Sequence, residues 1–192
     1  MTAKSLIALL LSTCMASTHA SGCIDKSTYY SIDNDVETIA SGITDEDELI
    51  HFFGGIVRLV AHDFMDYDRH SDDPQGSNGC IDWDHADNKG LWGTIWCDEC
   101  ELTKVYEEKY SHLSKADFWI VSANAVIRQL SVDQELDLID TFLWGRKDAD
   151  ECKGQGDRIP TGTGCREIED TLLDAMGLEW RDAVALLGAH TM

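Results

Sequence analysis

The chain has 192 residues, with 36 acidic against 15 basic side chains and a formal net charge of −21. That length suffices for one domain with a proper core. Such a charge repels nucleic acid and anionic membranes, which excludes both as partners and favours cations or neutral molecules.

Lys4 precedes an apolar run over residues 6–11 and a tail of small residues ending at Ala20. This pattern predicts a secretory signal peptide over residues 1–20. The run is too short for a membrane anchor, which needs about twenty apolar residues. A secreted, extracellular protein is therefore expected, a monomer whose single domain covers residues 21–192. Cys14 would leave with the signal, and six cysteines remain: Cys23, Cys80, Cys97, Cys100, Cys152 and Cys165. An even number in a secreted chain points to disulfides, with fifteen pairings open. Cys97-x-x-Cys100 has two other readings, a zinc pair or a redox pair. Without a second CxxC, a structural disulfide is the stronger one. The chain holds no Asn-x-Ser/Thr sequon.

Thr44 is placed to cap a helix over residues 45–63, with Asp45, Glu46 and Asp47 in its first turn. Leu49, Phe52, Phe53, Ile56, Leu59 and Val60 follow at helical spacing. Residues 64–88, rich in Asp, Ser, Gly and Asn, read as a loop. A short helix is expected over 99–112. A longer one follows over 114–130, capped by Ser114, with Ala116, Ser122, Ala123 and Ala125 allowing close approach of a helix or a flat cofactor. Residues 136–144 lead into Gly145-Arg146-Lys147-Asp148-Ala149, and a Gly-rich loop runs over 152–165. Helices over 166–176 and 180–190 close the chain, with Gly177 as the cap between them. Alternating patterns are nearly absent, so the fold class is mainly α.

Arg58 and His62, four residues apart, share one helical face about one turn (about 5.4 Å) apart. A cation beside a neutral imidazole suits cleavage of a peroxide O–O bond. A lone histidine near the end of an apolar helix, His190, suits an axial ligand to haem iron. The order Arg-x-x-x-His-Asp at 58–63, Asn-x-Gly-Leu at 88–91, Gly-Arg-x-Asp-Ala at 145–149 and Gly-Ala-His-Thr at 188–191 resembles the plant, fungal and bacterial haem peroxidase superfamily.

The resemblance implies a helical haem-peroxidase-like fold comprising the distal half and the start of the proximal half. It covers residues 45–192, about the first two-thirds of a typical member by the notional length of that family. It implies haem b as cofactor, H2O2 as oxidant and a small organic electron donor as partner. His62 would take a proton from H2O2 and return it to the departing oxygen, while Arg58 would stabilise the developing negative charge. Asn88 would accept a hydrogen bond from the other imidazole nitrogen and so hold the tautomer. His190 would ligate the iron, and the aspartate that supports this histidine in the family would fall beyond Met192.

The resemblance also implies Ca²⁺. Asp63 follows His62 as the family's calcium-binding aspartate does, Asp82 and Asp84 offer further oxygens, and Thr191 matches a proximal calcium ligand. The run beginning Asp66-Tyr67-Asp68 has an EF-hand look but lacks that motif's glycine. Four positions depart from family patterns. Ala61 stands where Phe or Trp is usual, which would open the pocket unless a tryptophan fills it. His51 and Gly55 occupy the places of two manganese-binding glutamates, and Ala185 that of a surface tryptophan. The rival reading is a catalytically inactive, secreted, acidic helical protein with a residual Ca²⁺ loop. The missing second half favours it, and Arg58, His62, Asn88 and His190 oppose it.

Overall fold

The computed structural model describes residues 23–152, 159 and 164–188. The expected signal peptide, His190 and Thr191 lie outside the described residues, as does most of the expected Gly-rich loop. Six α-helices are described: α1 (Lys26–Gly42), α2 (Glu46–Phe64), α3 (Glu101–Val105), α4 (Lys115–Leu130), α5 (Cys165–Ile168) and α6 (Trp180–Leu187). α3 and α5 run on into π-helical turns, Tyr106–Tyr110 and Glu169–Ala175. No strand occurs among the described residues, so the chain is mainly α as expected.

The helix α1 has no counterpart among the expected elements. Its apolar stripe is thin: Tyr29, Ile32, Val36 and Ala40 are buried among polar and β-branched residues of modest helix preference. Two interactions secure it. The Asp25 carboxylate accepts from Thr28 N at 2.7 Å and caps its start. Arg128 of α4 then grips buried Asp33, with Nε to Oδ1 at 3.0 Å and Nη2 to Oδ2 at 2.6 Å. A planar guanidinium matched to both carboxylate oxygens gives direction as well as attraction.

α2 begins one residue later than expected. Asp45, not Thr44, is the cap, and its carboxylate accepts from Glu48 N at 3.0 Å. An anion suits the positive end of the helix better than a hydroxyl does. Ser114 caps α4 as expected, accepting from Asp117 N at 3.2 Å. α4 is the central helix, with α1 and α2 packed on it. Its Ala116, Ser122, Ala123 and Ala125 are all buried, so the small side chains do bring neighbours close. Gly177 has φ +77°, and Leu178 N bonds back to Leu172 O at 3.0 Å, the expected glycine cap. A second, smaller core of Met65, Ile159, Leu172 and Ala183 joins the end of α2 to the α5–α6 pair.

The loop after α2 is captured by one carboxylate. Asp63 is buried in the last turn of α2 and accepts from the backbone N–H of Asn78 (3.4 Å), Gly79 (3.2 Å) and Cys80 (3.2 Å). Behind it, the Asp148 carboxylate accepts from Lys115 N at 2.8 Å and Ala116 N at 3.1 Å, at the start of α4. Reciprocally, Asp117 accepts from Gly145 N at 2.6 Å, Arg146 N at 3.2 Å and the Arg146 guanidinium at 2.9 Å. Gly79 has φ +64°, and a Cβ there would collide with the Asp148 carboxylate. Only glycine fits.

Two disulfides are described, Cys80–Cys152 and Cys97–Cys100, and Cys165 is exposed and unpaired. They differ in what they hold. A bridge closing 72 residues removes about 4 kcal/mol of chain entropy from the unfolded state, and one closing three residues only about 2 kcal/mol.

Burial raises the Asp63 pKa from 3.8 to about 7, outweighing the three N–H donors, which lower it. The folded state therefore holds this proton more tightly than the unfolded state. Its contribution to stability is complete below pH 3.8 and is lost as pH rises to about 7. Each tenfold difference in proton affinity between the two states corresponds to about 1.4 kcal/mol. We expect urea unfolding to show that wild type exceeds Asp63→Asn in stability by more at pH 5 than at pH 8. A pH-independent difference between the two would remove Asp63 as the titrating group.

Candidate active site

Arg58 and His62 lie on one face of α2, and the captured loop runs past them. His62 is buried, with Nδ1 2.8 Å from Asn88 Oδ1. Asn88, also buried, donates from Nδ2 to Asp82 O at 2.7 Å. A backbone carbonyl can only accept, so the amide must turn its NH2 to Asp82 and its oxygen to His62. That oxygen accepts only, which puts the imidazole proton on Nδ1 and the lone pair on Nε2. Arg58 Nε lies 3.4 Å from that Nε2 and donates to it. The same guanidinium donates to Asp87 O at 2.8 Å and Lys89 O at 3.0 Å. Arg58 is thus held by the two carbonyls that flank Asn88.

Three of the expected residues, Arg58, His62 and Asn88, are therefore gathered into one connected network. Their partners were not legible in the sequence. Asp82 contributes its backbone carbonyl rather than its side chain, as do Asp87 and Lys89, and backbone acceptors leave no residue-type signal.

The expected calcium ligands are not gathered. Asp63 spends its carboxylate on the amides of 78–80, while the Asp82 carboxylate accepts from Asp84 N at 3.1 Å in a local turn. Among the described residues, no group of three or more His, Cys, Asp or Glu is placed to hold a metal ion. Thr191 lies outside the described residues.

Ala61 borders a cavity of about 570 Å³ between α2, α4 and α6. Val57, Ile120, Ala123, Leu186 and Leu187 give it apolar walls, and Arg146 supplies a cation. No tryptophan is among its described walls, so the space beside Ala61 is open, as its small side chain implies. Arg58 and His62 are not among its walls; Ala61, which precedes His62, is. Gly55, at the place of a manganese-binding glutamate in other members, instead lets Ile95 pack close, since a Cβ there would sit 3.3 Å from Ile95 Cβ.

A sequence model of the family described as Peroxidase matches residues 12–192. The chain belongs to this family, the plant-type haem peroxidases. Among curated relatives, L-ascorbate peroxidase 3 of Arabidopsis thaliana is 32% identical over 142 residues, covering 71% of this chain and 45% of that protein. L-ascorbate peroxidase T, chloroplastic, from the same plant is 30% identical over 151 residues, covering 71% and 32%. The chain thus spans less than half the length of either relative. The mainly helical structure agrees with that membership.

The hydrogen-bond chain from Asp82 O through Asn88 to His62 predicts a single imidazole tautomer. In ¹⁵N-edited NMR above the histidine pKa, His62 should show a protonated Nδ1 and an unprotonated Nε2. Asn88→Val should give the mixture of tautomers usual for an unrestrained ring. The same mixture in wild type would dissolve the assigned network.

Proposed function

We propose that the chain is the peroxide-cleaving part of a haem peroxidase that uses H2O2 to oxidise small organic reductants. The observation that carries this reading is the Asn88–His62–Arg58 network. It presents an imidazole with its lone pair on Nε2 and a guanidinium 3.4 Å away. His62 acts as general base toward the first oxygen of H2O2 and then, once protonated at Nε2, as general acid toward the second. Asn88 holds the ring through Nδ1, so each proton enters and leaves at the same nitrogen. Arg58 lends positive charge where negative charge develops as the O–O bond lengthens.

The cavity beside Ala61 supports a flat apolar macrocycle: its walls are mostly apolar, its volume is about 570 Å³, and Arg146, held by Asp117, brings positive charge to its edge. Haem b, when bound, supplies the redox-active iron that reduces H2O2 and passes oxidising equivalents to the donor. Ala61, Leu186 and Leu187 would pack against it, and His190 would hold its iron. The donor class is small organic reductants, to which the ascorbate named in both relatives belongs. Export to an oxidising compartment is part of this reading, supported by the Cys80–Cys152 bridge.

Two measurements test it. In the haemin-loaded protein, His62→Leu should slow the reaction with H2O2 by about 10²–10⁴-fold, the usual worth of general acid–base catalysis. Arg58→Leu should slow it less, since arginine carries no proton in the step. Equal stopped-flow rates in wild type and His62→Leu would remove His62 from this role. Separately, His190→Ala should abolish the ferric haem spectrum, and an unchanged Soret band in that variant would assign the ligand elsewhere.

A further inference from the structure

The Cys97–Cys100 bridge plays no part in the peroxide chemistry, and it holds little of the fold. It closes a loop of three residues, whereas Cys80–Cys152 closes 72. The backbone on both sides is also fixed without it. Cys100 N donates to Cys97 O at 3.0 Å, Cys97 N donates to Thr103 Oγ1 at 3.2 Å, and Lys104 N donates to Cys100 O at 3.0 Å. Thr103 itself is buried. Opening the bridge would leave both sulfurs facing each other on a preformed turn, ready to close again.

Both cysteines are half-buried, with exposed Asp98 and Glu99 between them. Cys100 also borders a groove of about 770 Å³, walled by Ile39, Phe52, Ile95 and Leu102. That is the size of a small-molecule site. We propose that Cys97 and Cys100 form a dithiol–disulfide exchange site whose co-substrate is a small dithiol entering from this groove. An incoming thiolate attacks the Cys100 sulfur, forms a mixed disulfide and expels the Cys97 thiolate, which takes a proton. The second thiol of the same molecule then attacks its own sulfur in the mixed disulfide and releases Cys100. The protein gains two electrons and two protons, and the small dithiol leaves as a cyclic disulfide. Oxidised dithiol runs the sequence in reverse. The carboxylates of Asp98 and Glu99 favour a neutral dithiol over an anionic one.

The test uses the full chain carrying Cys165→Ser, so that the exposed thiol cannot shuffle the bridges. Graded dithiothreitol is followed by alkylation and peptide mass spectrometry. Cys97 and Cys100 should label at a concentration at least about tenfold lower than Cys80 and Cys152. Helical circular dichroism should be unchanged by that first opening, and oxidised dithiothreitol should close the bridge again. Co-reduction of the two bridges, loss of helix on opening Cys97–Cys100, or failure to reclose would each overturn the proposal. Access from the groove is read separately in Cys97→Ser with Cys165→Ser. There Cys100 should react promptly with a small aryl disulfide, and a Cys100 that reacts only after unfolding would overturn the proposal.

Discussion

The buried carboxylate of Asp63 is the constraint on which the rest of this structure turns. It sits one residue after His62, on the last turn of α2, and gathers three backbone amides of residues 78–80. Apart from Ile81 and Trp83, this long polar loop has little hydrophobic reason to lie against a helix. Three hydrogen bonds to one carboxylate supply that reason. Once the loop is pinned at 78–80, its continuation passes alongside α2. Asn88 then meets His62, and the carbonyls of Asp87 and Lys89 meet Arg58. The acid beside the histidine builds the site by placing its second half.

The Gly-Arg-x-Asp-Ala motif has a related structural task. Asp148 caps the start of α4, and Asp117 of α4 in turn accepts from Gly145 and Arg146. The exchange satisfies helix-end amides that would otherwise be unpaired. Ala149 N also bonds to Asn78 O at 2.8 Å, and Cys152 is bridged to Cys80. Residues 145–152 therefore tie the loop carrying Asn88 to the central helix. Arg146 serves twice, bonded to Asp117 and bordering the cavity beside Ala61. The matched segment thus carries both the Arg58–His62–Asn88 network and the bonds that hold it in place.

The helices α2 and α4 were legible because their apolar residues recur at helical spacing and their caps are of the usual types. α1 was not, because its stripe is thin and its stability is borrowed from Arg128, 95 residues away from Asp33. The start of α2 falls one residue later than its spacing predicts because Thr44 and Asp45 are both good caps, and only the bond to Glu48 N decides between them. The expected calcium oxygens stay apart for a comparable reason. Aspartates at 63, 82 and 84 look alike in sequence, yet one caps a loop and another closes a turn.

By itself, the sequence determined the helical class, the pairing of Arg58 with His62 and the family to which the chain belongs. Those features depend on residue type at short, regular spacing, which a linear chain displays directly. Tertiary structure alone decided which carbonyls hold Arg58 and which amides Asp63 collects. It also decided that the Asp82 carbonyl orients the Asn88 amide, and that Cys80 pairs with Cys152 while Cys97 pairs with Cys100. These are contacts of backbone groups, or choices among identical side chains, and only distance in space distinguishes one from another.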